Sequence, residues 1–288
     1  MEIRPMQHDD LAAAERLSDE AFYELDLQTF PPSWAPPEHR PESRRTGWIA
    51  RTASFLETDP GGCWVAVDEG GLLGFATSFV RESTLWCLAT YAVRPGFQGR
   101  GTGKRLLDTA LAYGEGCDRW MLSASGDARA ARRYRLAGFD LHPMMSLTGG
   151  LDRSAIPAVD GLRDGTPDDV ELLDSLDREL RGAGHGPDHG ALASMGELVV
   201  DVRGRGYAYA ERRGPAIVAA IDEDAAVRLL WECLARGGDE PQVRHVTAAN
   251  QWAVDVGLAA GLALHTEGYL GVRGMAPPAP YVHNGALL

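Results

Sequence analysis

The clearest chemical pattern in the sequence is a glycine-rich segment at 93–104, Val-Arg-Pro-Gly-Phe-Gln-Gly-Arg-Gly-Thr-Gly-Lys. An apolar run at 85–93 precedes it and an amphipathic run at 105–113 follows it, which predicts a strand, a tight turn and a helix. Such a turn directs consecutive main-chain N–H groups at one point, and the helix dipole adds partial positive charge there. The segment is therefore predicted to hold an anion such as a phosphate.

Three glycines in this segment, Gly99, Gly101 and Gly103, allow the backbone to approach an anion closely, and Arg100 and Lys104 add positive charge. Two common phosphate-binding patterns are absent: G-x-x-x-x-G-K-[ST], and G-x-G-x-x-G with an acidic residue after the next strand. On the loop alone, a glycine-rich turn before an ordinary helix is an equally simple interpretation.

A second pattern, at 127–139, predicts a helix that begins at Asp127 as N-cap and ends just before Gly138. A short apolar run at 120–122 precedes it, which indicates another strand feeding a helix. Tyr134 lies seven residues after the cap, about two turns along one face of the helix.

Together the two patterns resemble the acyl-CoA-binding core of the GNAT N-acyltransferase superfamily. Gln98-x-x-Gly101-x-Gly103 matches the signature loop Q/R-x-x-G-x-G/A of that family. The following helix commonly reads N-x-x-A-x-x-x-Y-x-x-x-G-F, and here Ala130, Tyr134, Gly138 and Phe139 match it in register. Asp127 departs from the pattern, because Asn is usual at that position.

The resemblance implies that acetyl-CoA is the co-substrate and that an amine attacks its thioester directly, without an acyl-enzyme. Tyr134 is then the candidate general acid for the departing thiolate, since a free tyrosine has a pKa of about 10 and is protonated at neutral pH. The backbone of Ala92 and Val93 is expected to align the pantetheine arm, and an N–H near Val93 to point at the thioester oxygen. The predicted cofactor-binding residues are Ala92, Val93, Arg94, Gln98, Gly99, Arg100, Gly101, Thr102, Gly103, Lys104, Asp127 and Ala130.

The sequence does not identify a general base, because the run at 85–93 contains no carboxylate. Four side chains are weak candidates, namely Glu24, Asp26, Glu82 and His142. A bound water is another route, and so is the carboxylate at the end of the apolar tail 280–288, although packing is the simpler role for that tail.

Composition and net charge exclude several classes of protein. The chain has 288 residues and a formal net charge of −13, which argues against general binding to nucleic acid or to an anionic membrane. No apolar run approaches the roughly 20 residues that span a bilayer, and the N-terminus lacks the order of a signal peptide. The four cysteines show no C-x-x-C pairing, so we expect buried thiols in a cytoplasmic protein and no metal site. The expected oligomeric state is a monomer or a homodimer.

The opening of the chain recurs near its middle. Ile3-Arg4 corresponds to Leu162-Arg163 at an offset of 159, and the acidic pair 9–10 corresponds to 168–169. An internal repeat of this kind indicates two copies of one fold. In the second copy a strand runs into Asp222-Glu223-Asp224, which caps a helix well but would repel a pyrophosphate.

The expected fold class is therefore α/β (α+β): two tandem GNAT folds, each a mixed, mostly antiparallel twisted sheet flanked by helices. The predicted domains are 1–150, which binds acetyl-CoA and is catalytic, and 160–288, a degenerate copy without a phosphate-binding loop. The Pro-rich connector 30–45, with Trp34 and three arginines, is either a solvated loop or a wall of the acceptor pocket.

The acceptor is not specified by the sequence. The acidic balance favours a small-molecule amine such as an amino sugar, amino acid or antibiotic, while a peptide N-terminus or a lysine stays open. Two other functions compete with catalysis: a non-catalytic acyl-CoA-binding sensor or partner module, and a loop that binds a different phosphate ligand such as a nucleotide.

Overall fold

The computed structural model describes residues 1–30 and 36–288. It divides into two compact units, Met1–Cys117 and Asp118–Leu288. Trp34 of the predicted pocket wall lies outside the described residues, and the described part of that connector ends where a helix begins at Glu42.

The first unit is an antiparallel sheet with helices on both faces. Its elements are β1 (Glu2–Pro5), α1 (Leu11–Thr29), α2 (Glu42–Thr58), β2 (Cys63–Asp68), β3 (Gly71–Arg81), β4 (Leu85–Val93) and α3 (Thr102–Tyr113). The strands follow one another in the order β1-β2-β3-β4. Of these elements, β4 and α3 correspond to the strand and the helix that the runs at 85–93 and 105–113 predicted.

Alternation along β3 places different helices on the two faces of this sheet. Phe75 and Phe79 point to one face, where they meet Trp48 and Phe55 of α2 at ring-centroid distances of 5.6 and 5.1 Å. Residues of even number point to the other face, where the Ser78 hydroxyl lies 3.5 Å from a main-chain oxygen of α3. Helices α2 and α3 therefore cover opposite faces of the sheet.

The second unit contains two groups of antiparallel strands and five α-helices among its described residues. Its elements are β5 (Arg119–Ala124), α4 (Ala128–Leu136), β6 (Asp140–Thr148), β7 (Leu162–Asp164), α5 (Val170–Leu180), α6 (Asp188–Met195), β8 (Glu197–Asp201), β9 (Gly206–Glu211), β10 (Gly214–Ala220), α7 (Glu223–Arg236), β11 (Gln242–Thr247), α8 (Gln251–Ala259), β12 (Ala263–Arg273) and β13 (Tyr281–Val282). One group has the order β5-β12-β6-β11, and the other has the order β13-β10-β9-β8-β7.

Strand β12 explains why the compact unit starts at Asp118. It pairs antiparallel with β5 along one edge and with β6 along the other, so residues 119–148 are hydrogen-bonded to residues 263–273. The division predicted between residues 150 and 160 concerns the two sequence copies and stays a prediction.

The internal repeat is visible as a repeated local structure. The Arg4 guanidinium donates two hydrogen bonds to Asp10 at 2.7 and 2.8 Å, and Arg163 pairs in the same way with Asp169. Each aspartate also accepts a main-chain N–H three residues earlier at 2.8 Å, from Gln7 and from Thr166. Each chain segment therefore enters its first helix through the same carboxylate-centred turn.

The apolar tail is part of the core of the second unit. Val282 joins a buried cluster with residues from α7, α8 and strands of both groups, and Leu287 and Leu288 are fully buried. The main-chain oxygen of Leu288 accepts a hydrogen bond from the Tyr281 hydroxyl at 2.9 Å and another from Arg181. These contacts favour packing as the role of the tail.

We predict that Leu287→Ala lowers the free energy of unfolding by about 2–5 kcal/mol, because it removes a fully buried side chain and leaves a cavity. Urea unfolding followed by tryptophan fluorescence measures the change. Leu258→Ala is the matched control, since Leu258 is 51% exposed and its truncation should change stability by less than about 0.5 kcal/mol. Equal losses in both variants would contradict a packing role for the tail.

Candidate functional site

The turn between β4 and α3 has the form that the glycine pattern predicts. Gly99 and Gly101 have φ angles of 79° and 87°, a left-handed region that favours glycine, and neither has a neighbour within 4 Å of an added Cβ. A Cβ on Gly103 would overlap the Tyr91 hydroxyl, so a larger residue at this position would have to displace that side chain. Conformation thus favours glycine at two of the three positions, and packing favours it at the third.

Helix α3 begins without a side-chain cap. Its N-cap is Gly101, which has no side chain to accept a hydrogen bond from the first turn. The N–H groups of Thr102, Gly103 and Lys104 have no partner within the helix, because the first turn of any helix lacks preceding carbonyls. Partial positive charge is therefore presented at the point where the sequence predicted an anion.

The predicted side chains of this loop have identifiable partners. Gln98 holds the turn closed: its Oε1 accepts from the Gly96 N–H at 3.1 Å and its Nε2 donates to the Val93 oxygen at 3.2 Å. The guanidiniums of Arg94 and Arg100 lie over the Phe97 ring, at 5.8 and 4.9 Å from its centroid.

The structure also gives the contacts of three other predicted cofactor-binding residues of the first unit. Thr102 donates to the Met1 sulfur at 3.1 Å, and Lys104 forms an exposed ion pair with Asp108. Ala92 is buried in β4 opposite Phe75. The structure thus brings the loop residues 93–104 together at one end of β4.

The predicted helix of the second unit is confirmed with both of its ends. Asp127 is the N-cap of α4, and its carboxylate accepts from the Arg129 N–H at 2.8 Å. At the other end the N–H groups of Gly138 and Phe139 donate to Arg135 and Tyr134 oxygens, each at 3.1 Å, a glycine-based C-cap.

Asp127 is already engaged by its own helix. Burial alone would raise the pKa of this carboxyl, but hydrogen bonds from the side chain and main chain of Arg129 outweigh burial and lower the pKa. Ala130 lies half-buried one turn along α4. The side chain of Tyr134 is buried and meets the Phe139 ring edge-on at a centroid distance of 6.5 Å.

The candidate bases lie on several different elements. Glu24, Asp26 and Glu82 are exposed, on α1 and on the turn after β3, whereas His142 is half-buried on β6. Cys63 and Cys233 are buried, and burial raises the pKa of each thiol to about 12. Those thiols are therefore protonated at neutral pH and unsuited to act as nucleophiles.

Sequence reasoning missed a buried histidine pair in the second unit. The rings of His245 and His283 stack at a centroid distance of 4.8 Å, and His283 Nε2 lies 3.2 Å from the Ser123 hydroxyl. Burial lowers the pKa of His283 well below its ordinary value, which keeps the ring neutral at neutral pH. The three residues are far apart in the sequence, so no local pattern signals them.

A second missed cluster contains Asp177, His185 and His189, which are close enough together to hold a metal ion. Arg181 donates to His185 Nε2 at 2.9 Å, so the proton of that ring is on Nδ1, 2.7 Å from Asp177. A metal on Nδ1 would need the position that this proton occupies. The arrangement is therefore a hydrogen-bond network, and the absence of a metal cofactor stays a prediction.

We predict that the cap, and not the ion pair, is what Asp127 contributes to stability. Asp127→Ala should lower the free energy of unfolding by about 1 kcal/mol, whereas Asp127→Asn, which keeps the cap, should cost at most a few tenths. The ion pair contributes little because Arg129 is 65% exposed. Urea unfolding at pH 7 distinguishes the two; equal losses for Ala and Asn would assign the stability to the ion pair.

Comparison with known proteins agrees with this geometry. Residues 20–139 match the acetyltransferase (GNAT) family. The holothin acyltransferase of Pseudoalteromonas sp. (strain SANK 73390) is 27% identical over 125 residues, which is 40% of this chain and 41% of that protein. The chain thus matches less than half the length of this curated relative, and both findings support acyl transfer as the general class of reaction.

Solved structures show the same fold over nearly the whole chain. A putative acetyltransferase from Pyrococcus horikoshii aligns with a TM-score of 0.75 at 17% identity, covering 99% of this chain and 94% of that one. A tandem GNAT protein from the clavulanic acid biosynthesis pathway aligns with a TM-score of 0.57 at 15% identity, covering 96% and 99%. No helix among the described residues is long and apolar enough to cross a membrane. The fold is therefore that of tandem GNAT proteins, and residues 20–139 are similar in sequence to the acetyltransferase (GNAT) family.

Proposed function

We propose that this protein is an N-acetyltransferase that moves an acetyl group from acetyl-CoA to an amine of a small molecule. The observation that carries the proposal is the N-terminus of α3, which lacks a side-chain cap and follows a turn with two left-handed glycines inside the family segment. In this role the main chain of 98–104 holds the pyrophosphate of coenzyme A, and Arg94, Arg100 and Lys104 add positive charge. Ala92 and Val93 align the pantetheine arm.

The reaction is direct attack in a ternary complex. The amine nitrogen bonds to the thioester carbon, the C–S bond breaks, and the leaving thiolate takes a proton from the Tyr134 hydroxyl. The amine loses its extra proton to a base or to water. The protonated, buried thiols of Cys63 and Cys233 support a route without an acyl-enzyme.

The second copy is proposed to lack a cofactor site. The corresponding helix, α7, is capped by the Asp222 carboxylate, which accepts from the Ala225 N–H at 2.9 Å. Glu223 and Asp224 add two carboxylates in the first turn, where a pyrophosphate would be repelled. The cytoplasmic location of the protein and its state as a monomer or homodimer stay predictions.

We predict that Gly101→Ala weakens coenzyme A binding at least tenfold, because a Cβ at φ 87° strains the turn that presents the N–H groups. Thermal shift with CoA, with ATP and NAD as alternative ligands, tests the binding by mass action. Gly116→Ala is the matched control: its φ is 100°, it lies beyond the other end of α3, and both variants carry a similar strain of about 1–2 kcal/mol. A larger shift with ATP or NAD than with CoA would refute this proposal.

We predict that Tyr134→Phe lowers kcat by about 10²-fold or more while changing the KM for acetyl-CoA little, because it removes only the proton donor. Steady-state release of free thiol with an amine panel measures both constants. Tyr113→Phe serves as control, since that hydroxyl donates to Asp59 at 3.1 Å in a structural contact. Unchanged turnover in Tyr134→Phe removes this residue from the mechanism, and CoA binding without transfer to any amine indicates a sensor instead.

A further inference from the structure

One arginine of the first unit lies among buried residues, and one atom of its guanidinium has no hydrogen-bond acceptor among the described residues. Arg51 lies on the face of α2 that carries Trp48, Thr52 and Phe55, all of which are buried. Its side chain is half-buried, and its Nε is closed off from water with no hydrogen-bond acceptor among the described residues. An arginine that merely extends along the surface would keep this group hydrated.

The nearby charges do not compensate Arg51. Glu15, only 1% exposed, is already shared by Arg40, at 2.6 Å from Oε1, and Arg45, at 3.2 Å from Oε2. The charged group that acts on Arg51 among the described residues is Arg40, which has the same sign. Residues 31–35 read Pro-Pro-Ser-Trp-Ala and contain no carboxylate. Arg45 also pairs with Glu42 at 3.6 Å, so Arg51 is the one of these three arginines for which the described residues provide no carboxylate.

The lack of a counter-ion for Arg51 is costly to the protein. Burial and the positive charge of Arg40 together lower the pKa of Arg51 to about 10. A charged group that is shielded from water and has no counter-ion destabilises a fold, and a ligand of opposite charge would offset that cost. The guanidinium has a planar fork of N–H donors that matches a carboxylate in a two-point contact.

We propose that Arg51 binds the carboxylate of the acceptor, so that the substrate is an amine that also carries a carboxylate, as an amino acid does. This inference rests on the proposed acetyltransferase function and specifies its substrate class. Coenzyme A also offers anionic groups, but Arg51 comes from α2, on the sheet face opposite α3, whose N-terminus belongs to the glycine loop. The acceptor is therefore assigned to Arg51 and the cofactor phosphates to the loop.

The test compares matched acceptors. Rates of acetyl transfer are measured for a panel of L-amino acids and for the corresponding L-amino acid amides, which keep the amine and lose the carboxylate. The wild type should prefer the amino acid by about 10- to 100-fold in kcat/KM, as expected for a charge-assisted pair of hydrogen bonds. Arg51→Met should abolish the preference, and Arg51→Lys should keep part of it, because charge remains without the fork.

Two further measurements separate this role from others. Arg51→Met should raise Tm by a few degrees, because an uncompensated charge leaves a buried position. Arg16→Met on the exposed side of α1 is the control and should change neither Tm nor the acceptor ratio. The Kd for acetyl-CoA should be the same in all of these variants.

Several outcomes overturn the inference. Equal use of acids and amides by the wild type, or an unchanged ratio in Arg51→Met, would refute the acceptor role while leaving the acetyltransferase intact. A tenfold loss of acetyl-CoA affinity in Arg51→Met would assign the residue to the cofactor. If no amine is acetylated, the binding of a carboxylate by Arg51 is tested by chemical modification with phenylglyoxal, which mass spectrometry detects. N-acetyl amino acids should protect Arg51 from modification, and their amides should not; equal modification in both cases would refute the inference.

Discussion

The structure depends on how the first turn of a helix satisfies its main-chain N–H groups. Every helix leaves these donors without internal partners, and a buried or crowded N-terminus needs an acceptor from elsewhere. In the second copy the chain provides that acceptor itself, through the Asp222 carboxylate at the start of α7. In the first copy the equivalent helix α3 starts at a glycine and has no side-chain cap, which leaves the donors for a ligand. The two equivalent helices thus differ in whether a side chain caps the first turn.

Local features of both copies could be predicted from the sequence because neighbouring residues determine them. The glycines before α3, the Asp127 cap, the Gly138 end of α4 and the repeated arginine–aspartate turns are all formed within a few residues. Strand β12 is different, because nothing in residues 263–273 indicates that they pair with β5 and β6, more than a hundred residues earlier. The predicted bases could not be evaluated from spacing either, since three of the four are simply exposed.

The net charge of the whole chain and the charges around a single residue lead to different expectations for the acceptor. The acidic composition of the whole chain suggested an amine-bearing acceptor, and that inference uses only a sum over 288 residues. Arg51 departs from that sum, because the charge that acts on it among the described residues is the positive charge of Arg40. A ligand responds mainly to charges within a Debye length, about 8–10 Å at physiological salt, so the surroundings of Arg51 are more informative than the total. The arginines of the connector 30–45 are visible in the sequence, but the pairing of Arg40 and Arg45 with Glu15 is not.

The position of β12 also constrains how the protein is made. When residues through Thr148 have emerged from the ribosome, β5 and β6 are outside it but the strand that lies between them is not. Until residue 273 emerges, the edges that β12 will occupy have no partner from that strand, and open strand edges are sites of non-native association. At elongation rates of about 5–20 residues per second, this interval of 125 residues lasts roughly 6–25 seconds. The nascent chain therefore passes through a stage in which chaperones have a specific edge to protect.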